Sequence, residues 1–206
     1  YAAKGVQCQD CHMPTVKDAT TVKAGVKVST RRVNKHDLQG GHSVDQLQRA
    51  ARVEILEVSK ASDAVRVRVR VTNVGSGHKM PTGIPSRKVL LTGRLKDARG
   101  AVLREATIRY QKVLADAQHR PLETDADIFL KPSTILLDNR LGPQESRIEE
   151  LVFPVTRDML QDQVIGGRTY QRNLSVEVAL TYSYTPLILQ PADMVQEMAK
   201  DSRPLQ

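Results

Sequence analysis

Tryptophan is absent from this chain, and aromatic residues of all kinds make up only 3% of its 206 residues. A core built with so little aromatic surface must come from Val, Leu and Ile, which favours strands over a large aromatic-rich pocket. The same shortage removes the flat side chains on which single-stranded nucleic acid stacks. No apolar run approaches the ~20 residues of a membrane-crossing helix, so no membrane span and a soluble chain are expected. Nor is there a charged-then-apolar leader. The chain begins Tyr1-Ala2-Ala3-Lys4, as a mature form or a piece of something longer would. Cysteine is scarce as well, with two residues, so a framework of several disulfides is excluded.

What is present is basic and strand-like. The formal net charge is +8, which by itself would fit nucleic acid, an anionic membrane or an acidic protein partner. The clearest cationic cluster is Arg66, Arg68 and Arg70, and these alternate with Val65, Val67, Val69 and Val71. That period of two is a half-buried strand with a solvated arginine face, so nucleic acid is not expected as a partner. Leu174, Val176, Val178, Leu180, Tyr182 and Tyr184 follow the same rule, and Val53–Val58 and Arg147–Val155 add further strands. Val89–Lys96 and Ala101–Tyr110 flank the turn Asp97-Ala98-Arg99-Gly100 and read as a hairpin. Six or seven such strands predict a mainly β fold, an immunoglobulin-like antiparallel β-sandwich.

Three sections are expected. Residues 1–51 form a small irregular and helical segment, with a short helix from Ser43 to about Ala51 opened by a Ser43–Gln46 capping box. Residues 52–190 form the sandwich, with a long irregular crossing over 115–146. Residues 191–206 read as a helical tail with Met194, Val195 and Met198 on one side.

Both cysteines lie in GVQCQDCHMP, as Cys8 and Cys11, with His12 directly behind. C-x-x-C-H is the spacing of c-type haem attachment. Two thiols one turn apart can each form a thioether to a haem vinyl group, and the next residue, His12, is placed to bind the iron as proximal ligand. A thioredoxin-like redox pair would want a βαβ context that is not seen. A zinc site would need a second pair of ligands. A disulfide across so short a loop would be strained. Haem c is therefore the expected cofactor.

A haem held by one histidine has a sixth position to fill. His36 and His42 in HDLQGGHS and His78 in GSGHKMPTG are the candidate distal ligands, of this haem or a neighbouring one. Gly40, Gly41, Gly75 and Gly77 beside them would let backbone approach a flat macrocycle. His119 in AQHRP reads as a loop residue, and Met13 and Met80 are weaker candidates. Three candidate ligands for one haem is a surplus, which predicts contact with other haems.

Together these stretches resemble the C-terminal part of multihaem c-type cytochromes of the cytochrome c554 and hydroxylamine oxidoreductase-like superfamily. GVQCQDCHMP resembles their attachment site. HDLQGGHS resembles the His-x-Phe-x-Gly-Gly-His segment that follows, with Leu38 in place of the aromatic. NVGSGHKMPTGIPSRKVLL and NRLGPQESR resemble the start and a Pro-Gly-Glu turn of the appended immunoglobulin-like domain, with Gln144 in place of the glycine. The superfamily carries several haem sites per chain, and this sequence has one.

The resemblance implies an electron carrier with one covalently bound, bis-histidine low-spin haem, working against other c-type cytochrome subunits or haem modules. A homo-oligomer or filament is one form such an array would take. The alternative is an accessory part of a multihaem oxidoreductase acting on small nitrogen compounds. Haem attachment to C-x-x-C-H takes place outside the cytoplasmic membrane, so a periplasmic or extracellular location is expected.

Overall fold

The computed structural model describes residues 4–19, 31–170, 173–184 and 194–205. The chain divides into two compact units, Tyr1–Gln46 and Leu47–Gln206. In order, the elements are α1 (Cys8–His12), β1 (Thr15–Ala19), β2 (Arg31–Asn34), α2 (Val44–Ala50), β3 (Ala51–Lys60), β4 (Ala64–Asn73), β5 (Lys88–Lys96) and β6 (Val102–Tyr110). There follow β7 (Lys112–Ala115), α3 (Asp125–Leu130), β8 (Thr134–Asp138), β9 (Ser146–Pro154) and α4 (Arg157–Leu160). The last are β10 (Gln163–Ile165), β11 (Arg168–Tyr170), β12 (Ser175–Tyr184) and β13 (Met194–Pro204).

The second unit is a β-sandwich. One antiparallel sheet has the order β13-β12-β5-β6 and the other β3-β4-β9. The strand order is that of an immunoglobulin constant-type domain, except that the fourth strand pairs with the third instead of the fifth. On β4, Val65, Val67, Val69 and Val71 are fully buried, each removal from water contributing roughly 1.5–3 kcal/mol. They meet Val89, Leu91, Leu95, Val176, Val178 and Leu180 of the opposite sheet and Leu151 and Phe153 of β9 in one core. At Gly93 the opposite sheet packs tightly, and an added Cβ would lie 2.5 Å from Leu151 Cδ1 and 2.9 Å from Phe153 Cζ.

On the outer face of β4 each arginine has its own glutamate: Arg66 with Glu150 at 2.7 Å, Arg68 with Glu57 at 3.1 Å and Arg70 with Glu54 at 3.0 Å. The cluster is thus a compensated, solvated ladder. The hairpin β5–β6 turns on Asp97, whose carboxylate accepts from the N–H groups of Arg99 and Ala101. The helix expected at 43–51 is present as α2, with the Gln46 N–H donating to Ser43 Oγ at 3.4 Å.

Two expectations are corrected. The C-terminal tail is not helical: Met194–Pro204 is strand β13, paired with β12 from Ser175–Pro204 to Tyr184–Met194. The boundary drawn at 190/191 lies outside the described residues. Met, Gln, Glu, Ala and Lys favour a helix locally, but a ladder along the whole of β12 outweighs that preference. A bulge at Met198, where Leu180 faces Ala199 and Thr181 faces Glu197, breaks the alternation that would have marked a strand. The crossing over 115–146 is not irregular throughout either. It holds β8, which pairs back onto β7, and the helix α3, capped by Thr124 Oγ1 accepting from the Asp127 N–H.

The seam between β3 and β13 is made by side chains. A bulge separates Ile55 from Glu57 on β3. The Ile55 N–H donates to Asp201 Oδ2 at 2.8 Å, and Arg203 Nη1 donates to Leu56 O at 3.1 Å. The Ile55 N–H and the Leu56 carbonyl at the bulge therefore both have partners.

Candidate functional site

Cys8, Cys11 and His12 lie on α1, a single short helix closed at its start by Asp10, whose carboxylate accepts from the Gln7 N–H at 2.8 Å. The Met13 N–H donates to Gln9 O at 2.7 Å and ends the turn. Residues three apart on a helix share a side, so the two sulfurs stand together. Neither is in a disulfide; Cys8 is exposed and Cys11 half-buried.

The segment that carries His36 and His42 is laced to this helix. Thr15 pairs with Asn34 and Val16 with Val33 across β1–β2. The Lys35 N–H donates to Pro14 O at 3.0 Å and Asn34 Nδ2 to Met13 O at 3.0 Å. Gln39 then meets His12 twice: its N–H donates to His12 O at 3.1 Å, and its carbonyl oxygen takes a short hydrogen bond from His12 Nδ1. A carbonyl can only accept, so Nδ1 carries the proton and the ring's lone pair sits on Nε2. A backbone carbonyl bonded to one ring nitrogen is the usual way a metal-binding histidine is held in the right tautomer. Sequence reading did not single out Gln39, because a main-chain acceptor leaves no side-chain signature.

His36 and His42 are both exposed on this unit. Between them Leu38 adopts φ 47° and is 63% exposed. At Gly40 an added Cβ would make only an ordinary contact, with Leu38 O at 3.9 Å.

His78 belongs to the second unit, on the loop between β4 and β5. Its Nδ1 lies 3.1 Å from Lys79 O and 2.9 Å from Ser76 Oγ, which is 3.5 Å from Nε2. The carbonyl again assigns the proton to Nδ1, and the Ser76 hydroxyl donates to His78 O at 3.1 Å. Lys79 Nζ is anchored on Asp138, which also takes Arg140. Arg140 and then Lys79 hold the Asp138 carboxyl well below the usual carboxylate range. The Gly142 N–H, followed by Arg147, lowers Glu145 in the same way.

These two depressed groups favour the fold above their unfolded values of about 4, and that contribution is lost as pH falls through the lower folded values. The thermal midpoint is accordingly expected to drop between about pH 4 and pH 2. Melts across that range should show a shallower drop for Asp138→Asn, which starts from a lower midpoint at neutral pH.

Other expected site features lie elsewhere. Gly75 makes its close approach to main chain, not in open space: an added Cβ would sit 2.1 Å from Arg49 O. Met80 is 5% exposed within the sandwich core, its N–H donating to Leu141 O at 2.8 Å, so its thioether is committed to packing. His119 sits at φ 60° on an exposed turn built around Asp116. Among the described residues, no group of three or more His, Cys, Asp or Glu side chains is placed to hold a bare metal ion. Two thiols and one oriented imidazole fit a haem instead: the thiols would take its vinyl groups and the imidazole its iron.

The comparisons with known proteins bear on this donor set. Over 99% of its length the chain superposes on a penta-heme cytochrome c552 from Thermochromatium tepidum, with a TM-score of 0.60 and 25% identity. The chain has a multihaem cytochrome-like fold. It spans 49% of that cytochrome's length. A β-glucosidase 3B from Thermotoga neapolitana also matches, over 76% of this chain and 16% of its own, at 16% identity and a TM-score of 0.27, too low to carry an argument. No protein-family model matches the chain, and no curated protein does. No helix among the described residues is long and apolar enough to cross a membrane.

Proposed function

We propose that this chain is an electron carrier of the c-type cytochrome class with one covalently bound haem c. Cys8 and Cys11 would hold it as thioethers and His12 Nε2 would be the proximal ligand. His36 or His42 would supply the distal imidazole, and His78 would be offered to this haem or to a neighbouring one. The observation that carries the reading is the bond from His12 Nδ1 to Gln39 O beside two unpaired thiols on one turn. When bound, the haem would supply one-electron chemistry, with His12 and one of His36 or His42 leaving its iron closed to substrate.

Two features support work within a larger haem array. The chain offers more exposed histidines than one haem can use. The cytochrome it superposes on is penta-heme, and the chain spans about half of it. Other c-type cytochrome subunits or haem modules are the proposed partners, in an oligomer or filament, and the proposed location is periplasmic or extracellular.

An optical spectrum tests the reading. The reduced protein is expected to give sharp low-spin α and β bands that carbon monoxide leaves unchanged. His36→Ala or His42→Ala, whichever removes the distal imidazole, should open the iron and make the spectrum carbon monoxide-sensitive. A parent spectrum that already shifts with carbon monoxide overturns the closed-iron reading and favours substrate chemistry.

A further inference from the structure

The loop that carries His78 is held by two side chains whose geometry the sheet alone does not require. Gln144 adopts φ 61°, a left-handed conformation that disfavours any residue with a Cβ and that glycine adopts freely. What glutamine adds is a tether: its Nε2 donates to Val74 O at 2.9 Å, at the start of the His78 loop. Its backbone N–H donates to Asn73 O at 3.0 Å. Asn73 is fully buried, and its whole side chain is engaged with this corner. Nδ2 donates to His78 O at 3.0 Å and Leu141 O at 3.3 Å, while Oδ1 accepts from the Ser76 N–H at 3.0 Å.

Strained backbone of this kind persists where surrounding contacts over-determine it, and it clusters at functional sites. Here the contacts converge on one peptide. Asn73 grips the His78 carbonyl, Ser76 bridges that carbonyl to the ring, and Gln144 fixes the chain four residues before. We propose that Asn73 and Gln144 are positioning residues that hold His78 with Nδ1 turned onto Lys79 O, so that Nε2 is presented to a haem iron. The proposal rests on the reading of His78 as a haem ligand.

The test uses the full haem-loaded chain in a His119→Ala background, which removes another exposed imidazole. The probe is a short ferric c-type haem peptide with one histidine and a water at its sixth position. Its conversion to low spin is titrated by absorbance. His78→Ala should abolish an increment of probe binding. Gln144→Gly relieves the backbone strain, so its thermal midpoint should equal or exceed the parent's, yet it should bind the probe roughly 10-fold more weakly, as loss of an outer partner does. A role in stability alone would not weaken the probe in a variant that melts no lower.

Asn73→Ser should weaken the probe too and shift the His78 ring nitrogens away from the Nδ1–H tautomer by nitrogen-15 NMR of the reduced protein. Where that variant fails to fold, Gln144→Gly decides. Full-strength binding by Gln144→Gly, with binding still lost in His78→Ala, overturns the positioning role and leaves the ligand reading standing. No effect of His78→Ala overturns both.

Discussion

Replacing Cys8 and Cys11 together by alanine is expected to yield colourless protein with the mass of the bare polypeptide. The thiols are the only two in the chain, so no other residue can form a thioether in their place. The β-rich far-UV signal should survive, because the hydrophobic core among the described residues lies between Leu47 and Leu205. Intact mass spectrometry, an iron-to-protein ratio and circular dichroism read the two effects separately. A coloured double variant with covalently held iron would remove the basis of the proposed function. His12→Ala is the finer version: haem retained through both sulfurs, but with the low-spin spectrum lost.

Gly75→Ala is expected to do the opposite, leaving the attachment motif intact and damaging the sandwich. An added methyl would stand 2.1 Å from Arg49 O and 2.9 Å from Arg49 C, both main-chain atoms, so no flexible side chain can move aside. The N–H groups of Val74 and Gly75 both donate to Ala50 O, at 3.0 and 3.1 Å, and separating the two segments breaks these bonds as well. Overpacking in well-packed sites costs typically 1–3 kcal/mol, and each neutral hydrogen bond adds about 1 kcal/mol. A loss of about 3 kcal/mol or more is expected in denaturant titrations. Unchanged stability would mean that the loop has room to shift, and that the glycine serves the approach of something other than main chain.

The legibility of this chain follows one-sided burial. Strands β4 and β9 could be read because each has one face in the core and one toward water, and β12 because Val176, Val178, Leu180 and Tyr182 recur every second residue on its core face. The β5–β6 hairpin could be read because Asp97 and Gly100 announce their turn. The ribbon β7–β8 could not, since Ile135, Leu136 and Leu137 are 53%, 43% and 43% exposed and carry no alternation. Strand β13 was hidden by its bulge and by helix-favouring composition.

At the site, Cys8, Cys11 and His12 stand out because the proposed covalent attachment would fix their spacing. Gln39 was invisible because it acts through its carbonyl, 27 residues away in sequence. Gly75 announced a close approach, but to a macrocycle, where the fold brings the main chain of Arg49. Asn73 and Ser76 left a faint trace, an asparagine accepting from the N–H three residues on, which is a turn habit of that side chain. Gln144 was noticed as a departure from glycine, and its positive φ gives that departure its physical meaning.

The plug that Asp201 and Arg203 form over the kinked backbone of β3 bears on self-association. An incoming strand could add at this margin only after evicting both charged residues and finding new partners for Ile55 and Leu56. Growth of the β-sheets from molecule to molecule is thus blocked along this flank. Copies that do come together must meet through other surfaces, and on the proposed function electrons would then pass between them from cofactor to cofactor, without a shared sheet.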